Sequence, residues 1–201
     1  RLNPDIADTI VYEAPWMDPW HQLPQDLARE EAAIEAVRAG RFDGAVIFTS
    51  YRMSPLPAAY LCYLAGVPLR AAASFDGPGS LLTTRLRRPE SLVHEVERGL
   101  DLVRALGMDL PEDERGLVLS VPDEARDGLE RTLRAAGIAA DRPLIVIHPG
   151  CSMPARTYPW EQFAAVAEEA TDRLGATIAL TGAASGQEVV ARIYDRLGPR
   201  A

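Results

Sequence analysis

The stretch Leu144-Ile145-Val146-Ile147-His148-Pro149-Gly150-Cys151-Ser152 decides the fold of this chain. An unbroken aliphatic run that stops at Pro-Gly reads as a strand buried on both faces, the pattern of a parallel sheet. In an open parallel sheet, ligands gather beyond the carboxyl ends of the strands. The residues that follow suit an anion. Gly150 lets the backbone approach a ligand, Ser152 offers a hydroxyl, and Arg156 carries a fork of donors that matches a phosphate. A helix is predicted from Pro159 to Leu174, with Pro159 at its first position and Glu161 complementing its dipole. Its buried stripe is expected to be Phe163, Val166, Ala167, Ala170 and Leu174. The connection over 149–158 exceeds the usual strand-to-helix length of about 2–6 residues, which favours a binding loop over a plain connection.

Outward from this stretch the same alternation recurs. A strand over 177–181 and a helix over 187–197 follow it, and a strand over 117–119 and a helix over 123–136 precede it. Further upstream a helix over 91–106 carries Leu92, Val96, Leu100, Val103 and Leu106 on one face. The first third offers a helix over 25–38 closed by Gly40, a strand over 45–49, a helix over 57–64 and a short strand over 70–74. The polar segment over 108–116, with Pro111 and four acids, reads as a linker. The expected fold class is therefore α/β, with two parallel-sheet domains at 1–115 and 116–201. The second has only two convincing strands where a doubly wound domain has about five or six, so it reads as incomplete. Because the first residue is not methionine either, the chain reads as a piece of a longer protein lacking material at both ends.

Composition narrows the function. The chain of 201 residues is 47% hydrophobic and 25% charged, ordinary for a globular protein. Its net charge of −8 argues against nucleic acid, which demands a basic face. No stretch has the apolar length of a transmembrane helix, and residues 1–8 do not read as a signal peptide. Cys62 and Cys151 are distant and lack metal-ligand spacing, so the expected compartment is a reducing cytoplasm. All 21 basic residues are arginine, so any role that usually falls to lysine falls here to arginine.

The pattern resembles glycosyltransferase family 9, the heptosyltransferase-type enzymes of GT-B architecture. The resemblance rests on His148-Pro149-Gly150-Cys151-Ser152, on Ala155-Arg156-Thr157-Tyr158-Pro159 with Glu161 and Phe163, and on Ala179-Leu180-Thr181-Gly182. Upstream, Phe48-Thr49-Ser50-Tyr51-Arg52, Leu64-Ala65-Gly66-Val67-Pro68-Leu69-Arg70 and His94-Glu95-Val96-Glu97-Arg98 extend it over nearly the whole chain. It implies two Rossmann-like domains, the first for an acceptor and the second for a nucleotide sugar. It implies inverting transfer of a sugar, a heptose such as that of ADP-heptose, from a nucleotide diphosphate to a hydroxyl of a glycan or glycolipid. The best-known members build lipopolysaccharide. It implies no cofactor and no metal, with cationic side chains and helix dipoles facing the leaving diphosphate. A glycolipid acceptor would bring the protein to the inner face of the cell membrane as a peripheral partner. Rival readings are a sugar-nucleotide epimerase, another GT-B enzyme, or a non-catalytic nucleotide-binding relative.

By resemblance, the donor contacts fall to Gly150, Cys151, Ser152, Arg156, Thr181, Gly182 and Glu188, with Arg156 in the place of a phosphate-binding lysine. Each has a plainer alternative. Arg156 could be a solvated helix-start arginine, Cys151 a buried thiol and Ser152 a loop hydroxyl. Glu188 stands two positions past Gly186, where the family often has a ribose-binding acid, and it also completes a capping-box pattern with Ser185. The family's Gly-Asp motif, whose aspartate is the expected general base, and its Asp-Ser/Thr-Gly-Pro loop have no counterpart here. The catalytic base is therefore expected outside this sequence, and the chain alone is expected to be inactive. His21 and His94 read as structural. The run Arg85-Leu86-Arg87-Arg88 reads as a solvated charge cluster, with an anionic acceptor or membrane surface as the alternative.

Overall fold

In the computed structural model, residues 2–18, 20–50, 53–87, 93–138, 142–151 and 154–198 are described. The chain divides into two compact units, Arg1–Ser120 and Val121–Ala201, so the division falls at Ser120 where the sequence placed it near residue 115.

In the first unit, β1 (Gly44–Ile47), β2 (Leu69–Ala73) and β3 (Thr84–Leu86) form a parallel sheet in that order. Ile47 lies beside Ala72, and Ala73 beside Leu86. β2 is the central strand and is buried from Arg70 to Ala73. Its alanines let α2 (Leu56–Leu64) approach closely, with Ala59 and Ala72 fully buried beside Leu82. α1 (Leu27–Ala39) is capped by Asp26, whose carboxylate accepts the amides of Ala28 and Arg29. At its other end Gly40 keeps a right-handed conformation (φ −66°) and Arg41 makes the left-handed turn (φ 47°). Gly40 is needed for space: a Cβ there would sit 2.3 Å from the Phe42 ring.

Three expectations for this unit change. The first residues of the 85–88 run belong to a strand, because Thr84–Leu86 is β3, while Arg85 and Arg87 are exposed as the charge-cluster reading expects. Arg85 there donates to the carbonyls of Ser74 (3.3 Å) and Phe75 (2.8 Å); Arg88 lies outside the described residues. The helix over 91–106 is the shorter α3 (Glu95–Arg104), and it buries Arg98 and Leu102 in place of the predicted stripe. Arg98 goes inside because Glu95 neutralises it at 2.6 Å while its stem packs. Leu92 lies outside the described residues. The run over 117–119 forms no strand, and Leu117 is 91% exposed. A three-residue apolar run holds strand geometry only when a neighbour completes its backbone hydrogen bonds.

In the second unit, α4 (Asp123–Ala135) precedes β4 (Leu144–Ile147), α5 (Trp160–Leu174), β5 (Thr177–Leu180) and α6 (Gln187–Leu197). β4 and β5 are parallel and in register from Leu144–Thr177 to Ile147–Leu180. Alternation sends Ile145, Ile147, Ile178 and Leu180 to one face, where they meet α5 and α6 around the fully buried Ile193. Burying a side chain of that size stabilises by about 2–3 kcal/mol. Gly175 ends α5 in the left-handed conformation (φ 62°) that residues with a Cβ resist. The buried stripe of α5 is Ala164 and Ala167, flanked by Phe163 and Ala170. Val166 and Leu174, both expected inside, are more than half exposed, because the covering elements β4, β5 and α6 meet the helix on its other side.

Candidate functional site beyond the ends of β4 and β5

β4 hands the chain to His148, the buried Pro149, Gly150 and Cys151. After residues 152–153, outside the described set, a single 3-10 turn spans Pro154–Arg156. Pro159 is the N-cap of α5 and not its first residue: it is extended (φ −56°, ψ 137°), and its carbonyl accepts the amides of Gln162 (3.0 Å) and Phe163 (3.2 Å). Tyr158 then packs edge-on against Phe163, with ring centroids 5.2 Å apart. These are the N′ and N4 positions of a hydrophobic staple, which sets the angle at which the loop enters the helix.

From the other strand, β5 continues through Thr181, Gly182 and Ala183 into a 3-10 turn (Ala184–Gly186) that leads into α6. The N-cap of α6 is Gly186, and no side chain caps it. The Ser185–Glu188 capping box is therefore not formed, because Ser185 is taken up in the turn. The first amide of α6, that of Gln187, donates to the Ala184 carbonyl of that turn, and the helix dipole still points its positive end at the loop.

The two loops enclose a cavity of about 490 Å³ lined by His148, Pro149, Gly150, Cys151, Thr157, Ala183, Ser185, Gly186 and Val189. That volume lies within the range of small-ligand sites. Across the strand ends, His148 Nδ1 and Thr181 Oγ1 are 3.0 Å apart.

The seven residues named from the sequence divide. Gly150 and Cys151 line the cavity, and Cys151 is exposed, so it is not a buried thiol. Thr181 meets its rim through His148. Arg156 ends the 3-10 turn beside the lining residue Thr157 and is exposed. Gly182 faces α6, where a Cβ would sit 2.9 Å from Val190 Cγ2, and it lines a different cavity beside β5. Glu188 is ion-paired with Arg192 one turn along α6. Ser152 lies outside the described residues. Sequence reasoning passed over His148, Thr157 and the α6 start as separate contributors. The strand register carried the signal for His148, which stands one residue past the Ile147–Leu180 pair.

The first unit has its own cavity of about 360 Å³ beyond the ends of β1 and β2, lined by residues that include Phe48, Thr49, Ser50, Ala73, Glu95 and Arg98. His94, set aside as structural, caps α3: its Nδ1 accepts the Val96 amide at 3.3 Å. Among the described residues, no group of three or more His, Cys, Asp or Glu side chains is placed to hold a metal ion. Among them, too, no helix is long and apolar enough to cross a membrane.

Parallel-sheet units with cavities beyond the carboxyl ends of their strands define the class: an α/β protein with the open parallel-sheet plan. The chain belongs to glycosyltransferase family 9 (heptosyltransferase), whose model it matches over residues 32–198. No curated protein matches it. Among solved structures it is similar to ADP-heptose LPS heptosyltransferase II of E. coli, at 23% identity and a TM-score of 0.64, over 88% of this chain and 53% of that one. It is also similar to a family 9 glycosyltransferase of Veillonella parvula, at 18% identity and a TM-score of 0.67, over 86% of this chain and 49% of that one. These likenesses give the fold, an α/β fold of GT-B type. The chain spans about half the length of the solved relatives.

Proposed function

We propose that the second unit binds the nucleotide-diphosphate sugar of a glycosyltransferase and that the first unit receives the acceptor. The observation that carries this reading is the cavity between the His148–Cys151 loop and the uncapped start of α6. It combines a backbone open to close approach at Gly150 and a helix N-terminus, and the exposed Arg156 precedes the lining residue Thr157 in the chain, so that its guanidinium can reach a bound diphosphate.

In the reaction so read, an acceptor hydroxyl attacks the anomeric carbon from the face opposite the diphosphate. The carbon–oxygen bond to phosphate breaks, the nucleoside diphosphate leaves with the electron pair, and the configuration inverts. Arg156 and the α6 dipole neutralise the charge that develops on the leaving group, a task that otherwise falls to a metal ion. No carboxylate is among the described residues lining this cavity, and in this reading the base that takes the hydroxyl proton comes from elsewhere. A heptose on ADP is the donor that family membership favours, and a glycan or glycolipid is the acceptor. The first-unit cavity, with Thr49, Ser50 and the buried Arg98, suits a polar acceptor. A lipid-borne acceptor would place the protein on the cytoplasmic side of the membrane.

Calorimetric titration with ADP, GDP and UDP tests the donor site. At least one diphosphate should bind more tightly than its nucleoside. Arg156→Ala should remove about tenfold or more of that difference and leave nucleoside affinity unchanged. Equal affinity for nucleoside and diphosphate in the unsubstituted chain would end this reading. An epimerase is separated by incubating donor with acceptor and looking for net transfer as against an altered donor sugar.

A further inference from the structure

The strand register gives His148 a position of its own. The ladder of β4 and β5 runs to the Ile147–Leu180 pair and continues one step, with the Thr181 amide donating to the Ile147 carbonyl at 3.0 Å. Residues 147 and 180 turn to the helix-covered face. The next residue on each strand, His148 and Thr181, therefore shares the opposite face at its carboxyl-end rim, and the two side chains meet through Nδ1 and Oγ1 at 3.0 Å. The ring's other edge looks into the loop. A Cβ built on Gly150 would lie 3.3 Å from His148 Nε2 and 3.8 Å from Cδ2, and His148 lines the cavity.

We propose that His148 is a ligand-binding residue that donates from Nε2 to a phosphate oxygen of the nucleoside diphosphate, and that Thr181 is its positioning residue. We assign the Thr181 hydroxyl as the donor to Nδ1, which puts the ring's N–H at Nε2, the edge beside Gly150. A histidine's far nitrogen is set by the bond its near nitrogen makes. Thr181 thus acts through the imidazole and does not touch the nucleotide itself. Gly150 belongs to the same device, because a side chain there would crowd the Nε2 edge. This inference rests on the proposed diphosphate site and adds to it the group that reads the phosphate.

Two amide replacements separate the ring's edges. Asparagine places its amide near Nδ1 and has nothing at Nε2, whereas glutamine reaches the Nε2 position. The 201-residue chain and its variants are titrated with whichever of ADP, GDP and UDP the unsubstituted chain binds best, with unchanged thermal unfolding as the folding control. His148→Asn should weaken binding about tenfold or more, and His148→Gln should stay within about threefold. Thr181→Val should weaken binding and Thr181→Ser should restore it. In ¹⁵N spectra of the imidazole, His148 should carry its proton on Nε2 in the unsubstituted chain and lose that preference in Thr181→Val. If the chain binds a diphosphate and His148→Asn binds it equally well, or if the proton sits on Nδ1, the inference falls and the site stands. If the unsubstituted chain binds none of the three, the site falls and the inference goes with it.

Discussion

The Tyr12 hydroxyl donates to the Glu30 carboxylate and so ties the N-terminal loop to the first turn of α1. Arg29 holds the other carboxylate oxygen at 2.6 Å, and Trp16 packs edge-on against Tyr12 with ring centroids 5.7 Å apart. The link joins a loop to a helix, and it has two titratable ends.

Each end makes its own pH prediction. Burial, then the bond to Glu30, pushes Tyr12 up to about 12. A raised pKa means that the bond stabilises fully below the ordinary tyrosine range and is lost as pH rises toward 12. The Tyr12 bond, then Arg29, holds Glu30 below the usual carboxylate range. Its contribution is present above that range and lost as pH falls through the lowered value. Ultraviolet titration should therefore show one tyrosine ionising near pH 12 that Tyr12→Phe removes. The same variant should flatten the alkaline fall in thermal stability of the first unit. An unchanged titration curve would show that the tie does not form.

Arg70 is the second test. It is buried at 8% exposure, and its guanidinium donates to the carbonyls of Leu81 (2.8 Å), Ser80 (3.1 Å), Pro68 (3.2 Å) and Val67, with the Tyr63 ring 5.4 Å away. Four carbonyls shared among three guanidinium nitrogens suit the rigid fork of arginine and not the single point of a lysine ammonium. Arg70→Met should destabilise the first unit by about 3 kcal/mol, since several buried acceptors lose their donors together. Arg70→Lys should recover less than half of that. Urea unfolding followed at the tryptophans reads both.

Gly182 makes a packing prediction that its assignment as a ligand contact does not. An alanine Cβ would press Val190 Cγ2 at 2.9 Å, so Gly182→Ala should destabilise the second unit by about 1–2 kcal/mol. Shortening the partner in a Gly182→Ala, Val190→Ala double variant should relieve the clash, which a double-mutant cycle would record as favourable coupling. Additive losses would place Gly182 elsewhere.

Cys151 offers a direct probe of the cavity. It is exposed on the lining, whereas Cys62 is half-buried and burial pushes its thiol up. A thiol reagent at neutral pH should modify Cys151 first, because the thiolate is the nucleophile and burial disfavours it at Cys62. A bound nucleoside diphosphate should slow that reaction. Unchanged labelling at saturating ligand would put the ligand outside this cavity.

Much of the architecture was legible before any coordinates. The strands at 44–47, 69–73, 144–147 and 177–180 and the helices α1 to α6 follow from apolar runs and periodicity, which are properties of neighbouring residues. Errors arose where a remote partner decides. β3 is three residues long and exists through its pairing with β2, and the equally short run at 117–119 has no such partner. Arg98 looks like a surface residue on any hydropathy pattern, yet it is buried, lining a cavity with Ile47, Phe48 and Ala73 from the distant strands.

The site divides in the same way. The sequence alone placed a loop after Ile147 with Gly150 and Cys151 in it, and both line the cavity there, because glycine and loop chemistry act where they stand. Only the tertiary structure decided that Gly182 lies against Val190, that Glu188 pairs with Arg192 and that His148 meets Thr181. The last pair is 33 residues apart in the chain. Its members meet because parallel register fixes which side chains are neighbours across the strands, and a single chain read along its length does not contain that register.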